Sequence, residues 1–192
     1  MDAFISSFTA VAVAEIGDKT QLLSLFLAAR FRARGAIIAG ILVATLLNHA
    51  ASAWLGVWVA QFIPQGWHNV LLGGSFIAVA LWLLIPDKDD SEDNGMLRYG
   101  AFAASCLLFF LAEIGDKTQI ATVILAASFE QAVWWVIVGT TLGMLAANVP
   151  VVYAGSWILQ KVSLDWARRF ACAVFISLGL YIIFSAQIAV TG

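Results

Sequence analysis

Six apolar segments, each long enough to cross a bilayer, fill almost the whole chain: roughly residues 3–29, 35–60, 69–86, 99–127, 132–159 and 168–190. A helix crosses with about 20 mostly apolar residues, and only short connectors are left between these segments. Of the 192 residues 62% are hydrophobic and 11% charged, with a mean hydropathy of +0.92. A soluble domain of this length could not hide that much apolar surface, whereas a bilayer demands it. The pattern predicts an all-α integral membrane protein of six transmembrane helices without a soluble domain. No Lys or Arg precedes the first apolar run and no small-residue cleavage site follows it, so the run reads as a retained helix, not a signal peptide. With no Arg- or Ser-rich transit extension either, the expected location is a bacterial plasma (inner) membrane.

Charge placement orients the spans. Eight of the ten basic residues lie in alternate connectors: Arg30, Arg32 and Arg34; Lys88 and Arg98; Lys161, Arg168 and Arg169. The other connectors, near Gln61–His68 and Ser128–Gln131, have none. By the positive-inside rule the first, third and fifth connectors are cytoplasmic, and both termini lie outside the cytoplasm. Trp54, Trp58, Trp67, Trp134 and Trp135 then supply much of an outer aromatic belt, with Trp82, Trp157 and Trp166 nearer the cytoplasm.

The two remaining cations, Lys19 and Lys117, sit inside spans as part of a repeat. Ala14-Glu15-Ile16-Gly17-Asp18-Lys19-Thr20-Gln21 recurs as Ala112-Glu113-Ile114-Gly115-Asp116-Lys117-Thr118-Gln119. Ala28-Ala29 and Ala126-Ala127 keep that offset, and Asn48 matches Asn148, and Phe76-Ile77 matches Phe175-Ile176, after small shifts. The chain therefore reads as a duplication: a first three-helix repeat over 1–86, an acidic cytoplasmic linker over 87–98, and a second three-helix repeat over 99–192. An odd number of spans per unit starts the second copy on the opposite face, so the repeats are expected to be inverted. Secondary transporters are commonly built this way, with the site near the midplane.

The motif is costly in lipid. A central charge costs roughly 2.5–3.5 kcal/mol even on lenient insertion scales, so the Glu, Asp and Lys residues must pair, bind an ion or face water. On a continuous helix Glu15, Asp18 and Gln21 share a face, as do Glu113, Asp116 and Gln119. Two such stripes offer carboxylate and amide oxygens, a ligand set for hard divalent cations such as Ca²⁺, Mn²⁺ or Mg²⁺ and not for metals that prefer thiolate or imidazole. Gly17 and Gly115 allow close helix approach or local unwinding. Thr20 and Thr118 lie roughly opposite the glutamates on an unbroken helix and take a supporting role. Lys19 and Lys117, which cannot ligate while protonated, serve as counter-charges holding the empty site together. Four carboxylates and two ammonium groups sum to −2, a charge that one divalent cation or two protons would neutralise.

Asn48 and Asn148, mid-span in the second and fifth segments, are candidates for supporting the site. His49 has no partner in the other half and reads as an interhelix hydrogen-bonding residue rather than a ligand. Gly139 and Gly143 form a G-x-x-x-G spacing suited to tight helix packing. Cys106 and Cys172 read as small packing residues. The linker, Asp87-Lys88-Asp89-Asp90-Ser91-Glu92-Asp93-Asn94, reads as a solvated connection or a weak cation collector; it lacks the glycine and closing glutamate of a calcium-binding loop.

Paired E-x-G-D-K-[ST] motifs on the first and fourth of six spans, separated by an acidic loop, resemble the Gdt-type cation exporters. That family includes bacterial manganese exporters with Golgi and chloroplast relatives, and is grouped with the cation/Ca²⁺ exchanger superfamily. The resemblance covers essentially the whole chain and implies export of Mn²⁺ or Ca²⁺ from the cytoplasm, against protons, with Mn²⁺ favoured by the compact bacterial form. The family's motif carboxylates carry over onto Glu15, Asp18, Glu113 and Asp116. The expected substrates are thus a divalent cation and protons, and the expected surroundings a lipid bilayer; no resident cofactor, nucleic-acid partner or enzymatic activity is expected. A passive divalent-cation channel could use the same carboxylates, and an intramembrane enzyme could use the Glu/Asp pairs for acid–base chemistry, although no nucleophile with a base is evident. No phosphate-binding Gly-rich loop followed by Lys-Ser/Thr is present to couple transport to ATP.

Overall fold

Where the sequence has two uninterrupted apolar runs around its motifs, the backbone has two breaks. The computed structural model describes residues 2–85, 95–155 and 164–191. Their helices are α1 Asp2–Ala14, α2 Lys19–Arg30, α3 Arg34–Ala60, α4 His68–Leu83, α5 Gly100–Glu113, α6 Lys117–Ser128, α7 Val133–Ala154 and α8 Leu164–Thr191. Short 3-10 turns precede α4, α5 and α7, and no strand occurs among the described residues. Three stretches, Arg34–Ala60, Met96–Glu113 and Glu130–Ala154, are long and apolar enough to span a membrane, while Asp2–Ala14 and His68–Leu83 are apolar but shorter. The acidic linker through Asn94, with Lys88, and the connector holding Trp157 and Lys161 lie outside the described residues.

The half-helices that carry the motifs do not pack mainly within their own half. α1 lies along α7, and α5 along α3, while α4 and α8 pair with each other. Glycines set these crossings by removing the side chain that would hold the backbones apart. A methyl group on Gly139 would come within 2.8 Å of the Phe4 carbonyl oxygen, and one on Gly143 within 2.7 Å of that of Phe8. In the other half, a methyl group on Gly40 would come within 2.6 Å of the Phe102 carbonyl oxygen and 2.8 Å of Ser105 Cβ. Phe4 and Phe102 are separated by the same offset as the two motifs, so the two halves use matching surfaces. Gly139 and Gly143 thus do what their spacing predicts. Gly73 and Gly179 make the equivalent close crossing between α4 and α8.

Trp54, Trp58, Trp67, Trp134 and Trp135 are all exposed. Trp54 packs edge-on against Trp134 at 6.0 Å, and Phe4 against Trp135 at 6.2 Å. The end of α3 and the starts of α1 and α7 therefore share one end of the molecule, where an aromatic belt is expected.

Candidate functional site: two broken helices that meet

Each motif sits at a helix break. α1 ends at Ala14 and α2 begins at Lys19, so Glu15 to Asp18 are unwound; α5 ends at Glu113 and α6 begins at Lys117. The shared helical face expected for Glu, Asp and Gln is accordingly replaced by a turn. Gly17 has φ +82° and Gly115 φ +75°, a left-handed conformation that side chains with a Cβ adopt at a cost. Asp18 and Asp116 then restart the chain as N-caps, and Asp116 Oδ1 accepts from the Lys117 backbone N–H at 2.7 Å. A break in lipid leaves backbone groups without helical partners, which is tolerated only where protein or a polar cavity surrounds them.

The polar residues of the motif close each turn on itself. Gln21 Oε1 accepts from the Gly17 N–H at 2.8 Å, and Gln119 Oε1 accepts from the Gly115 N–H at 2.6 Å. Thr20 donates to Glu15 Oε2, and Thr118 donates to Glu113 Oε2 at 3.2 Å. On an unbroken helix Thr20 would face away from Glu15; the break swings it onto the carboxylate. Both threonines and both glutamates are buried, and Glu15 Oε1 and Glu113 Oε1 have no hydrogen-bond partner among the described residues.

The two turns also meet each other. Lys19 Nζ lies 3.4 Å from Asp116 Oδ2, joining the halves. The charge on Glu15 interacts with those on Glu113 and Asp116, and that on Glu113 with those on Asp116 and Asp18. Among the described residues no three His, Cys, Asp or Glu side chains stand in a metal-holding arrangement. The four carboxylates are gathered in one region with an ammonium group set among them.

Lys117 is placed differently from Lys19. It is buried, donates to the Ile85 carbonyl at 2.7 Å and lies 6.0 Å from the centre of the Trp82 ring. The asparagines both reach helices of the opposite half: Asn48 Nδ2 donates to the Phe110 carbonyl at 3.1 Å, and Asn148 Oδ1 accepts from Ser24 Oγ at 2.7 Å. Gln21 Nε2 adds a bond to the Ala147 carbonyl at 3.0 Å. Ser24, Trp82 and Ile85 are contacts that the motif pattern does not reveal. Ser24 had one available signal, since Thr122 occupies its place in the second copy. His49 is buried, and neither ring nitrogen has a hydrogen-bond partner among the described residues, so the expected interhelix bond is not made.

The left-handed turns yield one prediction. Replacing Gly17 or Gly115 by Ala puts a Cβ into a conformation costing roughly 1–2 kcal/mol, although open space surrounds Gly115. The expected result is a lowered melting temperature in detergent for each variant, with a larger drop for the double variant. Melting temperatures equal to the parent's would show that the breaks do not need these glycines.

Comparison with known proteins identifies the family. The family model for "Divalent cation/proton antiporter GDT1" matches twice, over residues 3–91 and 101–189, one match per motif. A Vibrio cholerae protein named "Putative manganese exporter" is 53% identical over 180 residues, covering 94% of this chain and 90% of its own length. A "GDT1-like protein" of Synechocystis is 29% identical over 85% of this chain and 87% of its own length, and a rice "GDT1-like protein 4" is 28% identical over 93% and 72%. No solved structure matches the chain. With two matches to one family unit, each holding a copy of the motif, the chain belongs to the GDT1 family of divalent cation transporters.

Proposed function

We propose that the chain is a secondary transporter that exports a divalent cation, Mn²⁺ in preference to Ca²⁺, from the cytoplasm in exchange for protons. The observation that carries this reading is the meeting of the two broken motifs, with Lys19 on Asp116 and an unpartnered oxygen on each buried glutamate. The name of the Vibrio relative supports manganese as the cargo. Glu15, Asp18, Glu113 and Asp116 are the ligands in this reading. Gln21 and Gln119 hold the turns and keep a second lone pair toward the ion, and Thr20 and Thr118 orient the glutamates. A cation entering among the carboxylates takes the place of the Lys19 ammonium, which withdraws as it binds.

The six spans are then α1–α2, α3, α4, α5–α6, α7 and α8, arranged as two inverted repeats in the plasma membrane with both termini outside. Supporting this, contacts along α1 and α7 advance in the same direction, Phe4 on Gly139 and Phe8 on Gly143. Those along α3 and α5 also advance together, from Gly40 beside Phe102 to Asn48 on Phe110. Trp54 on Trp134 sets α3 and α7 antiparallel, so α1 and α5 run in opposite directions.

Purified protein in liposomes tests the reading. With Mn²⁺ and Ca²⁺ in competition, an imposed pH gradient is expected to drive Mn²⁺ against its own gradient, with Ca²⁺ a weaker competitor. Flux that only ever runs downhill would mark a channel and overturn the proposal.

A further inference from the structure

The two halves match at the α1–α7 and α3–α5 crossings, but the helices that follow the breaks are not matched in contact. At the end of the molecule that holds the aromatic cluster, α3 closes on α6. A methyl group on Gly56 would lie 2.2 Å from the Val123 carbonyl oxygen and 3.0 Å from Ala126 Cβ, so the two backbones touch. The related place in the other half is Gly155, which directly follows α7 with a φ of +60°, opposite Leu25 on α2. Leu25 and Val123 are separated by the motif offset, and Gly56 and Gly155 by the offset that relates Gly40 to Gly139. There a methyl group would meet a single atom among the described residues, Leu25 Cδ1, at 3.8 Å. α4 also packs on α6, and α8 makes no comparable contact with α2 among the described residues.

Near the breaks the polar tethers differ as well. Ser24 of α2 is bonded to Asn148, whereas its counterpart Thr122 turns back to the Thr118 carbonyl at 2.8 Å and Asn48 reaches Phe110 instead. Lys19 holds the motif of the other half, and Lys117 holds the end of α4. Two copies of one unit in unlike contact sets show two settings of the same joint. Exchanging the settings between copies generates the other conformation of the whole molecule.

We propose that α2 and α6, the half-helices that follow the breaks, are the gates of the transporter, and that this structure is its cytoplasm-facing state. α6 seated on Gly56 seals the outer end, and the loose fit of α2 beside Gly155 leaves the cytoplasmic end able to part. In the outward-facing state α2 closes on Gly155, α6 leaves Gly56, Asn48 takes the Thr122 hydroxyl, and Asn148 takes the Ala12 carbonyl. Asn48 and Asn148 are positioning residues that hold whichever partner the gate presents. This rests on the inverted arrangement and the orientation proposed above.

The test is thiol labelling in oriented membrane vesicles, on a Cys106→Ala/Cys172→Ala background, with a charged, impermeant reagent. Leu25→Cys is expected to react from the cytoplasmic face at least about tenfold faster than Val123→Cys reacts from outside. Gly56→Val cannot seat against the Val123 carbonyl, and it should reverse that order. Should Gly56→Val fail to insert, a gentler pair decides. Ser24→Ala deprives the buried Asn148 Oδ1 of its Ser24 donor in this state, and Thr122→Val would deprive Asn48 Oδ1 of its donor in the other, while the back-bond that Thr122 also gives up here leaves the Thr118 carbonyl within its helix. Each should shift the labelling ratio about fivefold, in opposite directions, as one neutral hydrogen bond does. Equal labelling from both faces, or shifts of the same sign, would overturn the gate assignment. None of these readouts involves a metal, so their failure leaves the exporter reading to the flux measurement, and absence of metal flux in the parent protein leaves the labelling order untouched.

Discussion

Glu15→Ala and Glu113→Ala are each expected to abolish metal export in reconstituted liposomes, with initial rates falling about 100-fold or more. Both glutamates are fully buried, each accepts from its own threonine, and each keeps one oxygen without a partner. Removing one carboxylate takes away a proposed ligand and weakens the negative charge that balances Lys19 or Lys117. Breaking a buried charge cluster in this one-sided way typically costs 3–5 kcal/mol of stability, and a loss of that size from the ion-bound state corresponds to a drop of about 100-fold or more. The Gln variants separate charge from packing, because Gln still offers an oxygen to Thr20 or Thr118. They should be as inactive as the Ala variants but closer to the parent in melting temperature. Glu→Asp changes should be milder, although the shorter side chain pulls the oxygen back from the ion. The same loss is expected for Ala at Asp18 and Asp116. Unchanged export by the Glu15→Ala and Glu113→Ala proteins would refute the site.

The second large effect concerns coupling. The paired motifs carry a formal −2, and one divalent cation or two protons bring that to zero. A doubly negative site is expensive to carry through an occluded, low-dielectric state, so the empty transporter should stay put, and slippage should be small. Exchange of about two protons per ion follows, nearly electroneutral, provided that Lys19 and Lys117 remain protonated. The membrane potential discriminates sharply here, since moving one net charge through 100 mV is worth about 2.3 kcal/mol, roughly a 50-fold change in the attainable gradient. An inward proton gradient is therefore expected to drive Mn²⁺ outward at a rate that barely changes when the potential is collapsed with a potassium ionophore. A roughly 50-fold change in the attainable Mn²⁺ gradient per 100 mV would show an exchange that carries one net charge, with one proton or three per ion, and indifference to the pH gradient would show that no proton is exchanged.

Much of this molecule is legible in its residues because the bilayer allows so few solutions. Apolar runs of this length dictate helices, since in lipid only helices and closed barrels satisfy the backbone and barrel strands are about half as long. Charges within those runs dictate that the motifs find each other, because unpaired they would be too costly. The doubled eight-residue motif then names the carboxylates, and the repeat singles out Asn48 and Asn148, both of which do reach the opposite half.

Tertiary structure decided the rest. Hydrophobic periodicity is blind to a break flanked on both sides by apolar helix; the glycines left close helix approach and local unwinding both open, and the positive φ at Gly17 and Gly115 decides for unwinding. With the turns came the change of partners: Thr20 onto Glu15, and Gln21 and Gln119 onto backbone N–H groups. The packing of α1 on α7 and α5 on α3, in place of each within its own half, depends on glycine faces that recognise distant segments. Local sequence carries no record of which distant face is met. The unlike engagement of Lys19 and Lys117 is further from reach still. The two motifs are identical, so the difference comes from what surrounds each of them: unlike residues on the neighbouring helices and the conformation that the whole assembly adopts.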